Sequence, residues 1–267
     1  MTDYPSIAEF ASNLAHQAGR MVVEERESGS LRHDYKDQVE LVTHADVKVD
    51  EFITRAIEAR FPDHRILSEE SFPDLAKAAE LETPLWIVDP IDGTVNYSYG
   101  HDQVAVSIAY AERGRIQVGV VHNPFRQECF EAVRGQGATL NGEAIRVSGC
   151  NELRKALVAT GFPYHKDALA PLVKRVGNVL EACRDIRRLG SAALDICWVA
   201  CGRLDVYYET VSPWDFAAAW LIAAEAGARC GHFTPVPEGQ PVELWSQDLL
   251  ICSPALFEPM LPLLQLD

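Results

Sequence analysis

The stretch Trp86-Ile87-Val88-Asp89-Pro90-Ile91-Asp92-Gly93-Thr94 carries an apolar run straight into two aspartates. The run reads as a buried strand, and open α/β sheets place ligand-binding groups at the C-terminal ends of strands. Pro90 is expected to stop that strand and stiffen the turn. Asp89 and Asp92 can then face a common side, with the carbonyl of Ile91 between them. Gly93 permits a close backbone approach, and the amides of Gly93 and Thr94 can open a helix whose N-terminus receives an anion. Two carboxylates, a carbonyl and an anion cradle make an oxygen-rich setting suited to Mg²⁺. An isolated DxxDG is more often an Asp-Gly turn with one capping carboxylate. The other acids decide between the two.

"SEES" supplies Glu69 at the end of another expected strand, twenty residues before Asp89. "SPWDFAAAW" supplies Asp215, in a pattern with Ser212 as N-cap, Pro213 at N1 and the acid at N3. "THAD" repeats the pattern with Thr43 and Asp46. Local capping explains each of these two acids by itself. A first-turn acid can also face a cation beside the helix start, so capping and ligation do not exclude each other.

These groups need elements to position them. Apolar residues at helical spacing mark helices over 5–27 and through Phe52, Ile53, Ala56 and Ile57. Residues 28–42 are polar and turn-rich, a mobile loop or loose hairpin. "RILSEES" and "LWIV" read as strands, followed by strand-like runs at 103–111, 115–121 and 127–133 and a hairpin at Asn141-Gly142. Beyond 150 the rhythm alternates. "ALVAT", "DIRRL", "LDVYYE" and 249–252 read as strands; 167–183, 191–201, 213–227 and a segment from about 254 read as helices. The expected architecture is one layered α/β domain over 1–267, its halves (about 1–150 and 151–267) packed as one body, with much antiparallel sheet in the first.

Composition narrows the function. Net charge is −15, from 39 acidic and 24 basic residues, and no Lys/Arg stripe offers the counterion release that nucleic-acid binding needs. Arg184-Asp185-Ile186-Arg187-Arg188 reads as a solvated strand edge. The acidic balance also fits poorly with anionic membranes, and no apolar run reaches membrane-spanning length. Seven scattered cysteines without a CxxC pair imply reduced thiols and the cytoplasm. Ser191 in "LGSAAL" lacks the nucleophile-elbow pattern, and no histidine has a recognisable catalytic partner. His122 and His165 read as hydrogen-bonding surface or core residues.

The chain resembles the inositol monophosphatase family of Mg²⁺-dependent, lithium-sensitive sugar phosphatases. The resemblance runs in family order across about residues 5–255. It rests on Lys36 and "VTHAD", "SEES", "WIVDPIDGTVNY", "GVVHNPFRQECFEAVRGQGATLNG", "TGFPY", "RRLGSAALDICWVACGRLDVYYE" and "PWDFAAAWLIAAEAG". It implies an α/β (α+β) layered α-β-α-β-α sandwich and, as in many members, a homodimer. It further implies that Glu69, Asp89 and the Ile91 carbonyl hold one Mg²⁺, and Asp89, Asp92 and Asp215 a second. Glu69 would help place a third ion through water. Thr94 and Asp46 would position the attacking water, so no side-chain nucleophile is needed. The amides of Gly93 and Thr94 would bind phosphate oxygens. Lys36, in the family's mobile loop, would meet phosphate or balance the acids. Asp92, Gly190, Ser191, Ala192 and Glu209 would contact the polyol.

Two segments depart from the usual spacing. "ETVSPWD" is one residue short between Glu209 and Asp215, and Lys36–Asp46 differs by about one residue from some members. The implied substrate is a small phosphate monoester, inositol 1-phosphate first. Histidinol phosphate, fructose 1,6-bisphosphate and 3′-phosphoadenosine nucleotides are alternatives, and a non-catalytic phosphosugar-binding regulator is the rival class.

Overall fold

Alternating side chains along the strands sort this sequence into three separate apolar cores, and those cores define the layers. The computed structural model describes residues 2–28, 33–36, 40–71, 83–163 and 169–266, with 33–36 and 40–42 described through the backbone alone. Helix α1 (Tyr4–Glu27) leads through strand β1 (His33–Lys36) and strand β2 (Glu40–Thr43) into α2 (His44–Arg60). β1 and β2 pair antiparallel, so the hairpin reading of that segment holds for its described residues.

Strands β3 (Arg65–Ser68) and β4 (Leu85–Asp92) pair in parallel. The one-turn helix α3 (Thr94–Ser98) follows β4. Then come β5 (Ala105–Glu112), β6 (Arg115–Asn123), β7 (Glu128–Val133), β8 (Ala138–Leu140) and β9 (Glu143–Ala144). The seven strands lie in sequence order, antiparallel from β4 onward. Asn141 and Gly142 both take positive φ, 50° and 82°, as a tight hairpin turn requires.

The second half contributes β10 (Leu157–Thr160), α4 (Leu169–Ala182), β11 (Asp185–Arg187), α5 (Ala192–Ala200), β12 (Val206–Glu209) and α6 (Pro213–Glu225). β13 (Arg229–His232), β14 (Leu249–Cys252) and α7 (Phe257–Leu264) complete it. These strands form a five-stranded sheet in the order β11-β10-β12-β14-β13.

Period-two alternation assigns each strand face. Trp86, Val88, Ile108 and Val120 pack with Ile7, Leu14 and Val22 of α1 and Val49, Ile53 and Ile57 of α2. Their neighbours Leu85, Ile87 and Ala109 turn the other way, against α5 and α6. The same central core takes Ala159, Tyr207 and Ile251 from the second sheet. Val158, Val206 and Leu250 face outward from that sheet onto Val179 of α4 and Met260 of α7. The result is helices, sheet, helices, sheet, helices. Beyond first turns that carry Asp195 and Asp215, α5 and α6 are apolar all round because both their faces are covered.

Two readings need correction. Pro90 does not end β4: pairing with β5 holds at Asp89↔Ser107, shifts register, and resumes at Asp92↔Ala105. A proline cannot donate to the ladder, but a bulge requires no donor there. Strand β13, "RCGH", was not expected, because its burial is partial and it shows no apolar alternation. The remaining boundaries shift by a few residues; the helix expected from about 254 begins as a short 3₁₀ turn.

β6 and α6 approach so closely at Gly119 that a Cβ there would lie 2.4 Å from the Ala218 carbonyl oxygen. Backbone on both sides leaves nothing to rotate away. Gly119→Ala is expected to lower stability by about 1–3 kcal/mol, and an unchanged urea midpoint would refute this packing.

Candidate active site

The bulge at Pro90 turns the end of β4 into a ligand-bearing corner. Asp89 is 1% exposed, and its Oδ1 accepts the Ile91 N–H at 3.0 Å. Asp92 follows on the same strand. Gly93 then takes φ 97°, and a Cβ there would fall 2.8 Å from the Gln103 carbonyl oxygen. Both the left-handed conformation and the space require glycine. Thr94 starts α3, and its Oγ1 lies 3.2 Å from the Ile91 carbonyl oxygen and 3.0 Å from Asp46 Oδ1.

Other elements deliver further acids to this corner. Glu69 follows β3, which parallel pairing holds beside β4; its amide donates to the Val88 carbonyl at 3.3 Å. Asp215 sits at N3 of α6, where one oxygen accepts the Ser212 N–H at 2.7 Å in a complete capping box. Asp46 does the same for α2, with Oδ2 receiving the Thr43 N–H at 2.9 Å while Oδ1 faces Thr94. In Asp46 one oxygen therefore caps the helix while the other holds Thr94. Asp89, Asp92 and Asp215 each bring a carboxylate oxygen within 4.8 Å of the others.

Such crowding has an electrostatic cost. Burial, then the charges of Glu69, Asp92 and Asp215, hold the Asp89 carboxyl well above its ordinary range. Asp92 is pushed up to about 6 by burial, although it accepts from Ser191 Oγ at 2.5 Å and from the amides of Ala192 and Ala193 at 3.2 and 2.8 Å. Burial likewise raises Asp46. A hard divalent cation relieves this repulsion, and the donor set of carboxylates and a carbonyl suits one. The residues present therefore fit Mg²⁺.

A cavity of about 310 Å³ opens over this cluster. Gly190, Ser191, Ala192 and Glu209 line it together with Glu69, Asp215 and the β4 corner, whereas Asp46 lies buried behind Thr94 and does not line it. Ser191 and the Ala192 amide spend hydrogen bonds on Asp92 in this arrangement. Glu209 reaches the cavity despite the short "ETVSPWD" connection. Tyr207 Oη donates to Glu209 Oε2 at 2.7 Å, and burial pushes Glu209 up to about 7. Lys36 ends β1, but its side chain lies outside the described residues, as does His165. His122 does not line the cavity; it is buried against His16, ring centres 4.3 Å apart, with no partner for Nδ1 among the described residues.

Sequence reasoning missed several lining groups. Arg188, read as part of a solvated strand edge, places its guanidinium 5.7 Å from the Phe162 ring centre, and both residues line the cavity. Asp195 lines it too, from the first turn of α5. Asn96 Nδ2 donates to the carbonyls of Leu189 and Gln103 at 2.7 and 2.9 Å, pinning the turn that carries Gly190. None of these has a spacing signal, because each depends on a partner about seven to a hundred residues away in sequence.

Fold and site together define a five-layered α/β sandwich with an acidic, metal-competent pocket at the strand ends of one sheet. The chain belongs to the inositol monophosphatase family, whose profile matches residues 3–264. It is 37% identical over 259 residues to Nus factor SuhB of Pasteurella multocida, covering 96% of this chain and 94% of that protein. It is 36% identical over 270 residues to inositol monophosphatase 1 of Solanum lycopersicum, covering 98% and 97%. The crystal structure of extragenic suppressor protein suhB from Bartonella henselae superposes with a TM-score of 0.87 at 31% identity, covering 97% of this chain and 98% of that one. Membership supports a phosphatase activity, and the acidic cluster agrees with the family's general use of Mg²⁺. Among the described residues no helix is long and apolar enough to cross a membrane.

Glu209 makes a pH test of this pocket. Its folded value near 7 stands above roughly 4.3 for an unfolded glutamate. The folded state therefore binds more protons between those values. Ionising Glu209 subtracts stability as pH rises from about 4 to about 7, and subtracts it fully above. In metal-free buffer, Glu209→Gln should gain Tm relative to the parent at pH 8 more than at pH 5. An equal difference at both pH values would refute the shift.

Proposed function

We propose that the protein is a Mg²⁺-dependent phosphatase of small polyol or sugar phosphate monoesters, with inositol 1-phosphate as its first candidate substrate. The observation that carries this reading is the convergence of Asp89, Asp92 and Asp215, from a strand end and a separate helix, beneath one cavity. Glu69, Asp89 and the Ile91 carbonyl would hold one ion; Asp89, Asp92 and Asp215 would hold a second. A third would be placed through water by Glu69. Bound there, Mg²⁺ supplies the positive charge that binds phosphate and acidifies a water.

The chain's own groups do the rest. Thr94 donates its hydroxyl proton to Asp46, which leaves its lone pairs to accept from and orient the attacking water. The Gly93 and Thr94 amides hold phosphate oxygens, adding fixed donors where negative charge builds in the transition state. Ser191 and the α5 amides keep Asp92 in one orientation. Glu209, Gly190, Ser191, Ala192 and Asp92 face the alcohol part of the ester. By family resemblance Lys36, at the end of β1, would meet the phosphate or balance the acids. Histidinol phosphate, fructose 1,6-bisphosphate and 3′-phosphoadenosine nucleotides are the competing esters. A homodimer in a reducing cytoplasm, with no direct nucleic-acid or membrane contact, completes the reading, and seven free cysteines fit it.

Relatives of 37–38% identity named Nus factor SuhB favour a second reading, a regulator whose role lies outside catalysis. Turnover separates the two. Phosphate release from the four candidate esters, with and without Mg²⁺ and with Li⁺ added, should show one ester hydrolysed only with Mg²⁺ and inhibited by Li⁺. Hydrolysis of none would transfer the weight to the regulator.

Asp89→Asn should lower kcat by at least about a thousandfold, since it removes a charge assigned to both ions. The parent should gain Tm on adding Mg²⁺, and the variant should lose that gain while keeping its circular dichroism spectrum. Near-normal activity in the variant would sink the assignment.

A further inference from the structure

The pocket holds a carboxyl to which the reaction above gives no task. Asp195 is only 2% exposed, yet it lines the cavity, and its Oδ1 has no hydrogen-bond partner among the described residues. Its buried counterparts are all held. Asp46 has Thr43 and Thr94, and Asp50 has Ser68 and Ser71. Asp89 has the Ile91 amide, Asp92 has three donors from 191–193, and Asp205 has Ser148 and the Leu157 amide. Among the described residues the fold finds donors for five buried aspartates and none for the carboxyl of the sixth, on a residue that lines the cavity, and this points to a ligand as the missing partner.

The surroundings say which kind. Asp195 lies one helical turn after Ser191, whose hydroxyl holds Asp92, so it shares the helix face that looks onto the cluster. Glu209, held by Tyr207, lies close enough for its charge to act on Asp195. Arg188 already supplies a cation to this wall. A hydroxyl suits a carboxyl in either protonation state, because it both donates and accepts. An ammonium would suit only the ionised form.

We propose that Asp195 is a specificity-determining residue that hydrogen-bonds a hydroxyl on the alcohol part of the substrate, so that polyhydroxylated phosphate esters are preferred over esters without hydroxyls. This rests on the phosphatase reading above and adds a residue and a selection rule to it. Asp195 works beside Glu209, and the pair offers acceptors to neighbouring hydroxyls of one ring. Because its Oδ1 is unpaired among the described residues, Asp195 is kept against the interest of stability.

The test compares inositol 1-phosphate with p-nitrophenyl phosphate, which has the ester but no hydroxyl. Asp195→Leu should lower the ratio of their kcat/KM values by about tenfold to a hundredfold, chiefly through the KM for inositol 1-phosphate. Asp195→Asn, which keeps an acceptor, should recover most of the ratio. The Leu variant should also melt no lower than the parent, since a residue serving only the fold would lose stability when replaced. If the Leu variant does not fold, Asp195→Ala gives the same comparison. An unchanged ratio, or a parallel loss on both esters, overturns the inference while leaving the phosphatase reading intact. A parent protein that hydrolyses neither ester overturns both.

Discussion

Mutual repulsion among buried carboxylates is the constraint around which this molecule is arranged. Asp89, Asp92 and Asp215 come within 4.8 Å of one another, with Glu69 close enough to raise Asp89 further. Left to themselves in low dielectric, such groups would separate or take up protons. They stay because each is fastened by backbone that the fold has already committed. Asp92 is clamped by the first turn of α5, Asp215 by the N-terminus of α6, and Asp89 by its own bulge. Their positions are fixed by the fold itself, and relief of the repulsion would favour a bound cation.

The layers explain how acids from distant segments are fastened together. α5 and α6 lie between the two sheets, so their N-termini open at the edge where β4 ends. That requires helices whose covered faces are apolar, and the runs "ICWVA" and "FAAAWLIAA" provide them, with Asp195 and Asp215 in their first turns at the pocket. Gly119 lets α6 settle against β6 with backbone touching backbone. A small loss of fit there would move Asp215 relative to β4, so packing far from the cavity bears on the chemistry within it.

The site also shows how one side chain serves two purposes. Asp46 caps α2 through one oxygen and holds Thr94 with the other, and Asp215 caps α6 while lining the cavity. Capping fixes the carboxylate plane and so aims the second oxygen. The choice between a structural and a functional aspartate, which the sequence poses at "THAD" and "SPWD", does not arise in the structure.

Much of this was legible in the sequence, for a physical reason. Strand alternation, helical spacing and capping signals are local, and so were the ends of most helices and the acids of "SEES", "DPIDGT" and "PWD". What failed was local evidence that tertiary pairing overrules. Pro90 reads as a stop, but β5 accepts it in a bulge and carries β4 on to Asp92. β13 has no apolar alternation and exists because β14 pairs with it. Arg188 reads as solvated edge and stands at the cavity only because the turn at Gly190, pinned by Asn96, brings it there. Asp195 has the spacing of an ordinary first-turn acid. Only the packing of α5 under the pocket decides that its oxygen goes unpaired, because whether a donor lies within reach depends on side chains from other elements.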